Sequence, residues 1–197
     1  MSNETQIIHK KMKINEIVLN FPQKAQKLRR AIKNFAFFPH DLPQEILEVY
    51  LAKHGKNQSE TDPFIQRLND ILKERINLNE ISMTEKAAVK LKEILSKERK
   101  NEWGVKFADQ LGACGAGFEY ILEPSSHPSP TDKIFYSHGI EISVPNLSIE
   151  RLLGSLIDFE EGFIDDNFTG LIKLGFTISN PNVKSTCDCG CSTGYGA

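Results

Sequence analysis

The apolar positions of the chain follow a helical period in its first part and an alternating period in its second. Before residue 77 they recur every three or four residues in four stretches: 13–20, 23–35, 43–54 and a last one that starts at Asp62. This spacing predicts amphipathic helices. Pro43 and Pro63 each fit the first turn of a helix, with Asp62 as the cap before Pro63. The first part therefore predicts a small helical bundle.

A polar link at 77–80 separates this bundle from a region with a different pattern. One more helix is predicted there, capped by Ser82 or Thr84, before the period changes to two. Alternating apolar residues then predict short strands at 104–108, 118–122, 133–136, 140–144, 157–159 and 176–178. A hairpin turn is expected at 137–139 and a short helix at 148–156, whereas 163–174 fits a loop or a short helix.

These patterns predict an α+β fold with a helical domain at 1–76 and a mixed domain at 81–197. The 197 residues are 40% hydrophobic and 25% charged, which is typical of a globular protein. A formal net charge of −2 gives no reason to expect a nucleic acid or a membrane as partner. No apolar run is long enough to cross a bilayer, and no secretory signal is found. We therefore expect a cytoplasmic location, where cysteines stay reduced.

The four cysteines stand in two glycine-flanked segments. Cys114 lies in a glycine cluster at 112–117, and Cys187, Cys189 and Cys191 follow one another at every second position near the C-terminus. We expect both segments to be exposed and mobile, which suits a soft metal or a cluster that has to be bound and released. Cysteines two residues apart would form a strained disulfide ring, so the spacing favours metal binding.

Three motifs resemble the A-type iron–sulfur carrier family of HesB, IscA and ErpA. They are the helix start at 81–88, the glycine-flanked cysteine followed by Gly-Phe-Glu-Tyr at 112–120, and the tail at 175–189. The most specific part is Asn-Pro-Asn at 180–182 followed by Lys-Ser-Thr-Cys-Asp-Cys at 184–189. The resemblance extends from residue 81 to the C-terminus.

The resemblance implies a domain of short mixed strands packed with two helices. It also implies that Cys114, Cys187 and Cys189 bind a two-iron or four-iron cluster, or iron alone, and that the protein is a carrier rather than an enzyme. Iron–sulfur scaffold or donor proteins and apo-protein recipients would be its partners. Three thiolates per chain are one fewer than a cluster commonly takes, so a homodimer or higher oligomer is expected. Cys191 is a further thiol beyond the family pattern, and we include it among the metal ligands.

Residues 1–76 resemble, more faintly, small helical domains found beside iron–sulfur repair modules. The shared feature is Met-Lys-Ile-Asn-Glu-Ile at 12–17 leading to Phe-Pro at 21–22. Those domains often carry paired cysteines after the next helix, and this chain has none there. We therefore interpret this part as an adaptor.

Two other classes of function stay open. A zinc-binding interaction module would use the tail cysteines with Cys114, His127 or His138 as a structural site. A thiol–disulfide enzyme would pair Cys114 with the tail, although the chain has no CxxC motif. No Ser/His/Asp grouping, phosphate loop or paired-carboxylate motif supports conventional catalysis.

An acidic group begins within the fifth predicted strand and continues after it: Asp158, Glu160, Glu161, Asp165 and Asp166. These side chains could dock a basic partner or hold a labile iron, but a solvated loop is the favoured interpretation. The sequence indicates no partner for His9, His40 or His54.

Overall fold

The computed structural model describes residues 7–112 and 117–196, so the predicted ligand Cys114 lies outside the described residues. The fold is α+β, as predicted. The helices are α1 (Ile14–Leu19), α2 (Ala25–Phe35), α3 (Leu47–Lys53), α4 (Gln58–Lys73), α5 (Glu85–Lys97), α6 (Ile149–Leu152) and α7 (Gly170–Lys173). The strands are β1 (Ser82–Met83), β2 (Gly104–Leu111), β3 (Phe118–Ser125), β4 (Lys133–Ser137), β5 (Ile140–Val144), β6 (Leu156–Phe159), β7 (Phe176–Ser179), β8 (Ser185–Thr186) and β9 (Thr193–Gly194).

Helix α4 begins earlier than the sequence pattern predicts. Its cap is Asn57, whose side chain accepts a hydrogen bond from the Glu60 N–H at 3.2 Å, while the Glu60 carboxylate accepts from the Asn57 N–H at 3.1 Å. This reciprocal capping box satisfies two backbone donors. Pro63 consequently lies inside the helix, and the prediction of Asp62 as its cap is wrong.

Helix α3 begins later than predicted, at Leu47 rather than at Pro43. The backbone before it is used to cap α1: the carbonyl oxygens of Glu45 and Pro43 accept the N–H groups of Ile14 and Asn15 at 3.0 and 3.1 Å. Those carbonyl groups satisfy donors that the first turn of a helix leaves unpaired. The segment before Leu47 therefore serves another helix and does not form one itself.

The strands form two sheets. A six-stranded sheet has the order β4-β5-β2-β3-β9-β8, and a three-stranded sheet has the order β1-β6-β7. The predicted turn between β4 and β5 is confirmed: His138 and Gly139 have φ of 51° and 75°, as a two-residue hairpin turn requires. Thr84 caps α5 by accepting from the Ala87 N–H. Three described helices, α5, α6 and α7, accompany these sheets, where two were expected.

Buried apolar side chains form two separate clusters. One lies among α1 to α4 and includes Leu28, Leu47 and Leu68, each fully buried. The other lies between the sheets and α5 and includes Phe107 and Leu122. The two clusters fall on opposite sides of the link at 77–80.

Helix α2 joins the two parts through buried charges. Lys27 binds the carboxylates of both Glu74 and Asp158. Arg29 and Lys33 both bind Asp165, at 2.7 and 2.9 Å. The three cations are nearly inaccessible to solvent, and buried cations of this kind are normally paired.

The acidic group in and after β6 therefore has partners in its own chain. Asp158, Glu160 and Asp165 are buried, whereas Glu161 and Asp166 are exposed. Glu160 binds Arg67 of α4. The prediction of a solvated loop is wrong for the three buried acids, because helices α2 and α4 supply cations to them. In the part of the chain that the structure describes, no helix has both the length and the apolar character needed to cross a bilayer.

Candidate metal centre

The three C-terminal cysteines lie in one hairpin loop. Strands β8 and β9 pair antiparallel, and residues 187–192 connect them. The loop is closed by hydrogen bonds from the Cys187 N–H to the Ser192 carbonyl at 3.1 Å and from the Gly190 N–H to the Cys187 carbonyl at 2.8 Å. Gly190 has φ +73°, which side chains of L-residues disfavour. The hairpin thus brings cysteines from both sides of a tight turn together.

Two of these thiols are buried, which contradicts the expectation of an exposed tail. Cys189 and Cys191 are each 8% exposed, and Cys187 is half-buried. The cover comes from the helical part of the chain: a methyl group placed on Gly190 would lie 3.1 Å from Arg29 Cδ and 3.3 Å from Val18 Cγ1. Glycine at position 190 therefore allows the loop to pack against α1 and α2, a contact that the local pattern does not reveal.

Sulfur atoms and backbone N–H groups meet at Cys187. Its Sγ lies 2.9 Å from Cys189 Sγ and accepts from the N–H groups of Cys191 and Ser192, both at 3.2 Å. Hydrogen bonds to sulfur stabilise the thiolate form and tune a bound metal. The arrangement suits Cys187 to the role of a thiolate ligand.

Burial favours the neutral form of the other two thiols by raising their pKa values. It raises the pKa of Cys189, and a hydrogen bond with Cys187 raises it further. Burial also raises the pKa of Cys191, although the Arg29 guanidinium partly opposes this. Thiol–disulfide exchange requires a thiolate of low pKa. These two thiols therefore count against the thiol–disulfide enzyme, whereas a metal ion would displace their protons on binding.

His40 joins the two buried cysteines, although the sequence indicates no partner for it. One ligand atom each from His40, Cys189 and Cys191 lie within 4.8 Å of one another. His127 and His138, the histidines weighed for a zinc site, are not part of this group among residues 7–112 and 117–196. No local signal could have singled out His40, because the tail hairpin reaches it only through tertiary packing.

The residues that flank Cys114 in the sequence also contact the tail hairpin. The Gly112 N–H donates to the Gly117 carbonyl at 2.8 Å. A methyl group on Gly112 would lie 2.4 Å from Ser192 Oγ, and one on Gly117 would lie 2.3 Å from the Thr193 carbonyl oxygen. Only glycine permits approaches this close. Both described ends of the segment that contains Cys114 therefore lie against the hairpin.

Arg29 connects the elements of the centre. Its Nε donates to the Cys189 carbonyl at 3.0 Å, its Nη2 to the His40 carbonyl at 3.4 Å and its Nη1 to Asp165 at 2.7 Å. Burial alone would raise the pKa of Asp165, but the hydrogen bonds from Arg29 and Lys33 outweigh it and lower that pKa to about 2. Asp165 is therefore a fixed negative charge that holds Arg29 between the two segments.

Replacing Gly190 by alanine is expected to destabilise the fold by more than the same change at Gly55. The two glycines have nearly equal φ, +73° and +75°, but a methyl group at Gly55 has nothing within 4 Å. Gly55→Ala thus measures backbone strain alone, about 1 kcal/mol. Gly190→Ala adds crowding against Arg29 and Val18, which brings the total to about 2 kcal/mol. Urea unfolding measures both, and equal losses of stability would contradict the packed loop.

Comparison with individual known proteins assigns this chain to a family, although no family model matches it. It is 34% identical over 114 residues to "Protein HesB, heterocyst" of Trichormus variabilis, a match that covers 56% of this chain and 85% of that protein. It is 32% identical over 112 residues to the "Iron-sulfur cluster insertion protein ErpA" of Xylella fastidiosa, covering 57% of this chain and 80% of that protein.

Solved structures that match part of this chain include "IscA with the [2Fe-2S] cluster" and SufA of Escherichia coli. Their TM-scores are 0.48 and 0.46, with 24% and 27% identity; the matches cover 59% and 58% of this chain and 99% and 92% of those chains. The chain belongs to the HesB/ErpA family of iron–sulfur cluster insertion proteins, which confirms the resemblance to the A-type carrier family.

Proposed function

We propose that this chain is an iron–sulfur cluster carrier that binds a cluster, or its iron, and passes it to apo-proteins. The cluster is its cargo, and the ligands are the thiolates of Cys114, Cys187 and Cys189, with Cys191 as a further thiol beside them. The observation that carries the proposal is the hairpin at 187–192, in which three thiols of a HesB/ErpA-family chain lie together.

The chemistry of this centre suits a cargo that has to be released. Clusters are commonly held by four thiolates, and a set of three leaves a position for a second chain or a partner protein. Backbone N–H donors to Cys187 stabilise a bound thiolate. The approach of Gly112 and Gly117 to the hairpin supports a ligand set drawn from both glycine-flanked segments.

We further propose a division of labour between residues 1–76 and 81–197. The two separate clusters of buried apolar side chains support it. The second region would carry the cluster, and the first would act as an adaptor that covers the tail hairpin. Scaffold or donor proteins and apo-protein recipients would be the partners, with a homodimer or higher oligomer supplying shared ligands. On this proposal the protein is not an enzyme and works in the cytoplasm.

Anaerobic reconstitution with iron and sulfide tests the proposal. The wild-type protein is expected to develop sulfide-to-iron charge-transfer absorption, and the double variant Cys187→Ser/Cys189→Ser is expected to lose it. Cys191→Ser is the matched control, because it removes one thiol of the same loop and leaves the three proposed ligands. A full spectrum in the double variant would contradict the ligand assignment.

A further inference from the structure

We propose that His40, Cys189 and Cys191 form a second binding site in this chain, for a single thiophilic divalent metal ion such as Fe²⁺ or Zn²⁺. Their ligand atoms already lie within 4.8 Å of one another. In a tetrahedral site with bonds of about 2.0–2.3 Å, neighbouring ligand atoms lie about 3.5–3.8 Å apart. Side-chain rotations that move each ligand atom by roughly 1 Å therefore bring the three donors onto one ion.

The hydrogen bonds around His40 decide which ring nitrogen has a lone pair available for a metal. Asn167 Nδ2 donates to the Pro39 carbonyl at 3.1 Å and to Asp165 at 2.7 Å, so Asn167 Oδ1 is an acceptor. His40 Nδ1 lies 2.7 Å from that oxygen and therefore carries the ring proton. The lone pair of the neutral imidazole is then on Nε2. Metal-binding histidines are typically fixed in this way, with the second ring nitrogen donating to an oxygen.

One buried network positions both sides of the site. Arg29 donates to the backbone carbonyl groups of His40 and Cys189, and it is 1% exposed. Asp165 binds Arg29 and also accepts from Asn167, which holds the His40 ring. The ligands from the helical part and from the tail hairpin are thus aligned by the same two charged residues.

The donor set decides the kind of ion. Two thiolates and one imidazole suit Zn²⁺ and Fe²⁺ and do not suit Mg²⁺ or Ca²⁺, which prefer oxygen ligands. Cys187 Sγ lies 2.9 Å from Cys189 Sγ but is not part of the group within 4.8 Å, so the three donors leave the fourth position of a tetrahedral shell to a solvent molecule. The His40 side chain is exposed, so an ion can reach the site from solvent.

A single metal ion bound at this site would compete with the cluster for a ligand. Cys189 belongs both to this set and to the proposed cluster ligands, so the single ion and the cluster exclude each other at that sulfur. This competition, unlike the metal site itself, rests on the proposed function. His40 lies outside residues 81–197, which resemble the carrier family, so the helical part would supply a ligand that the family motif does not contain.

Titration of the full-length, metal-free protein with Co²⁺ alone, under anaerobic conditions, tests the site. Tetrahedral Co²⁺ bound by thiolates gives ligand-field and charge-transfer absorption, and displacement by Zn²⁺ gives the affinity. His40→Gln is expected to weaken Co²⁺ binding roughly 10-fold or more and to shift the ligand-field bands. His40→Cys is expected to restore tight binding. His54→Gln is the matched control, because His54 lies in the same helical region and binds the Tyr50 carbonyl instead.

Each outcome decides the inference. Weaker binding by His40→Gln, recovery by His40→Cys and no change in His54→Gln would support it. Wild-type affinity in His40→Gln, no gain in His40→Cys over His40→Gln, or no thiolate-bound Co²⁺ in the wild type would overturn it. Reconstitution with iron and sulfide is scored separately: His40-dependent Co²⁺ binding without any cluster would leave this site standing while the proposed function fails. A cluster without a Co²⁺ site would do the reverse.

Discussion

Replacing Asp165 by asparagine is expected to lower the free energy of unfolding by about 3–5 kcal/mol. The substitution preserves size but removes the carboxylate that pairs with Arg29 and Lys33. Their side chains are 1% and 3% exposed, so both cations would stay buried without their partner. Urea unfolding followed by circular dichroism measures the loss.

Asp166→Asn is the matched control for this experiment. Asp166 is the next residue and also forms an ion pair, with Lys173 at 2.6 Å, but its side chain is 84% exposed. An exposed pair contributes about 0–1 kcal/mol. If the two variants lose the same stability, the buried network does not hold the helical part against the rest of the chain.

Acidification is expected to destabilise the protein between about pH 4 and pH 2, and Asp165 is the main identifiable cause. Its pKa is about 2 in the folded protein, against 3.8 for an ordinary aspartate, so the folded state favours the ionised carboxylate. That contribution is present above pH 4 and is lost as the pH falls through the folded pKa. It amounts to about 2 kcal/mol, because one unit of pKa corresponds to about 1.4 kcal/mol.

Asp158 contributes in the same direction. Burial would raise the pKa of its carboxyl, but hydrogen bonds from Lys27 and Thr84 lower it. The free energy of unfolding measured from pH 6 to pH 2 should therefore fall, and in Asp165→Asn the fall should be smaller by about 2 kcal/mol. An identical pH dependence in wild type and variant would show that the pKa of Asp165 is the same in the folded and unfolded states.

Local patterns were sufficient for most of the fold. The strand predicted at 140–144 is β5 (Ile140–Val144), and the turn before it contains two residues with positive φ. Both features depend on neighbours in the sequence. The start of α4 was mispredicted because Asn57 and Asp62 both resemble caps, and Pro63 favoured the wrong one. The reciprocal bonds between Asn57 and Glu60 are what place the start at Gln58.

The candidate centre was only half visible in the sequence. The spacing in the sequence identifies three candidate ligands, Cys187, Cys189 and Cys191, and the structure brings them together in one loop. Their burial and the approach of His40 depend on α2, whose basic residues bind acids far along the chain. A signal did exist: α2 carries four buried cations, and the segment after β6 is acidic. Opposite charge alone, however, does not specify which groups meet.

This arrangement gives the helical part a definite place beside the proposed cargo site. Arg29 donates a hydrogen bond to the backbone carbonyl of Cys189, and Gly190 packs against the Arg29 side chain. Residues before the link at 77–80 therefore partly cover the tail hairpin. A cluster bound at Cys187 and Cys189 would require the covering helical part to move away or to supply a ligand itself. The helical part thus contacts the loop in which Cys189 and Cys191 are buried.

The most direct measurement is the content of iron, zinc and acid-labile sulfide in protein purified without oxygen. We expect iron and acid-labile sulfide in comparable amounts, with both lost in the Cys187→Ser/Cys189→Ser variant. Stoichiometric zinc with no sulfide, unchanged after reconstitution with iron and sulfide, would contradict this expectation.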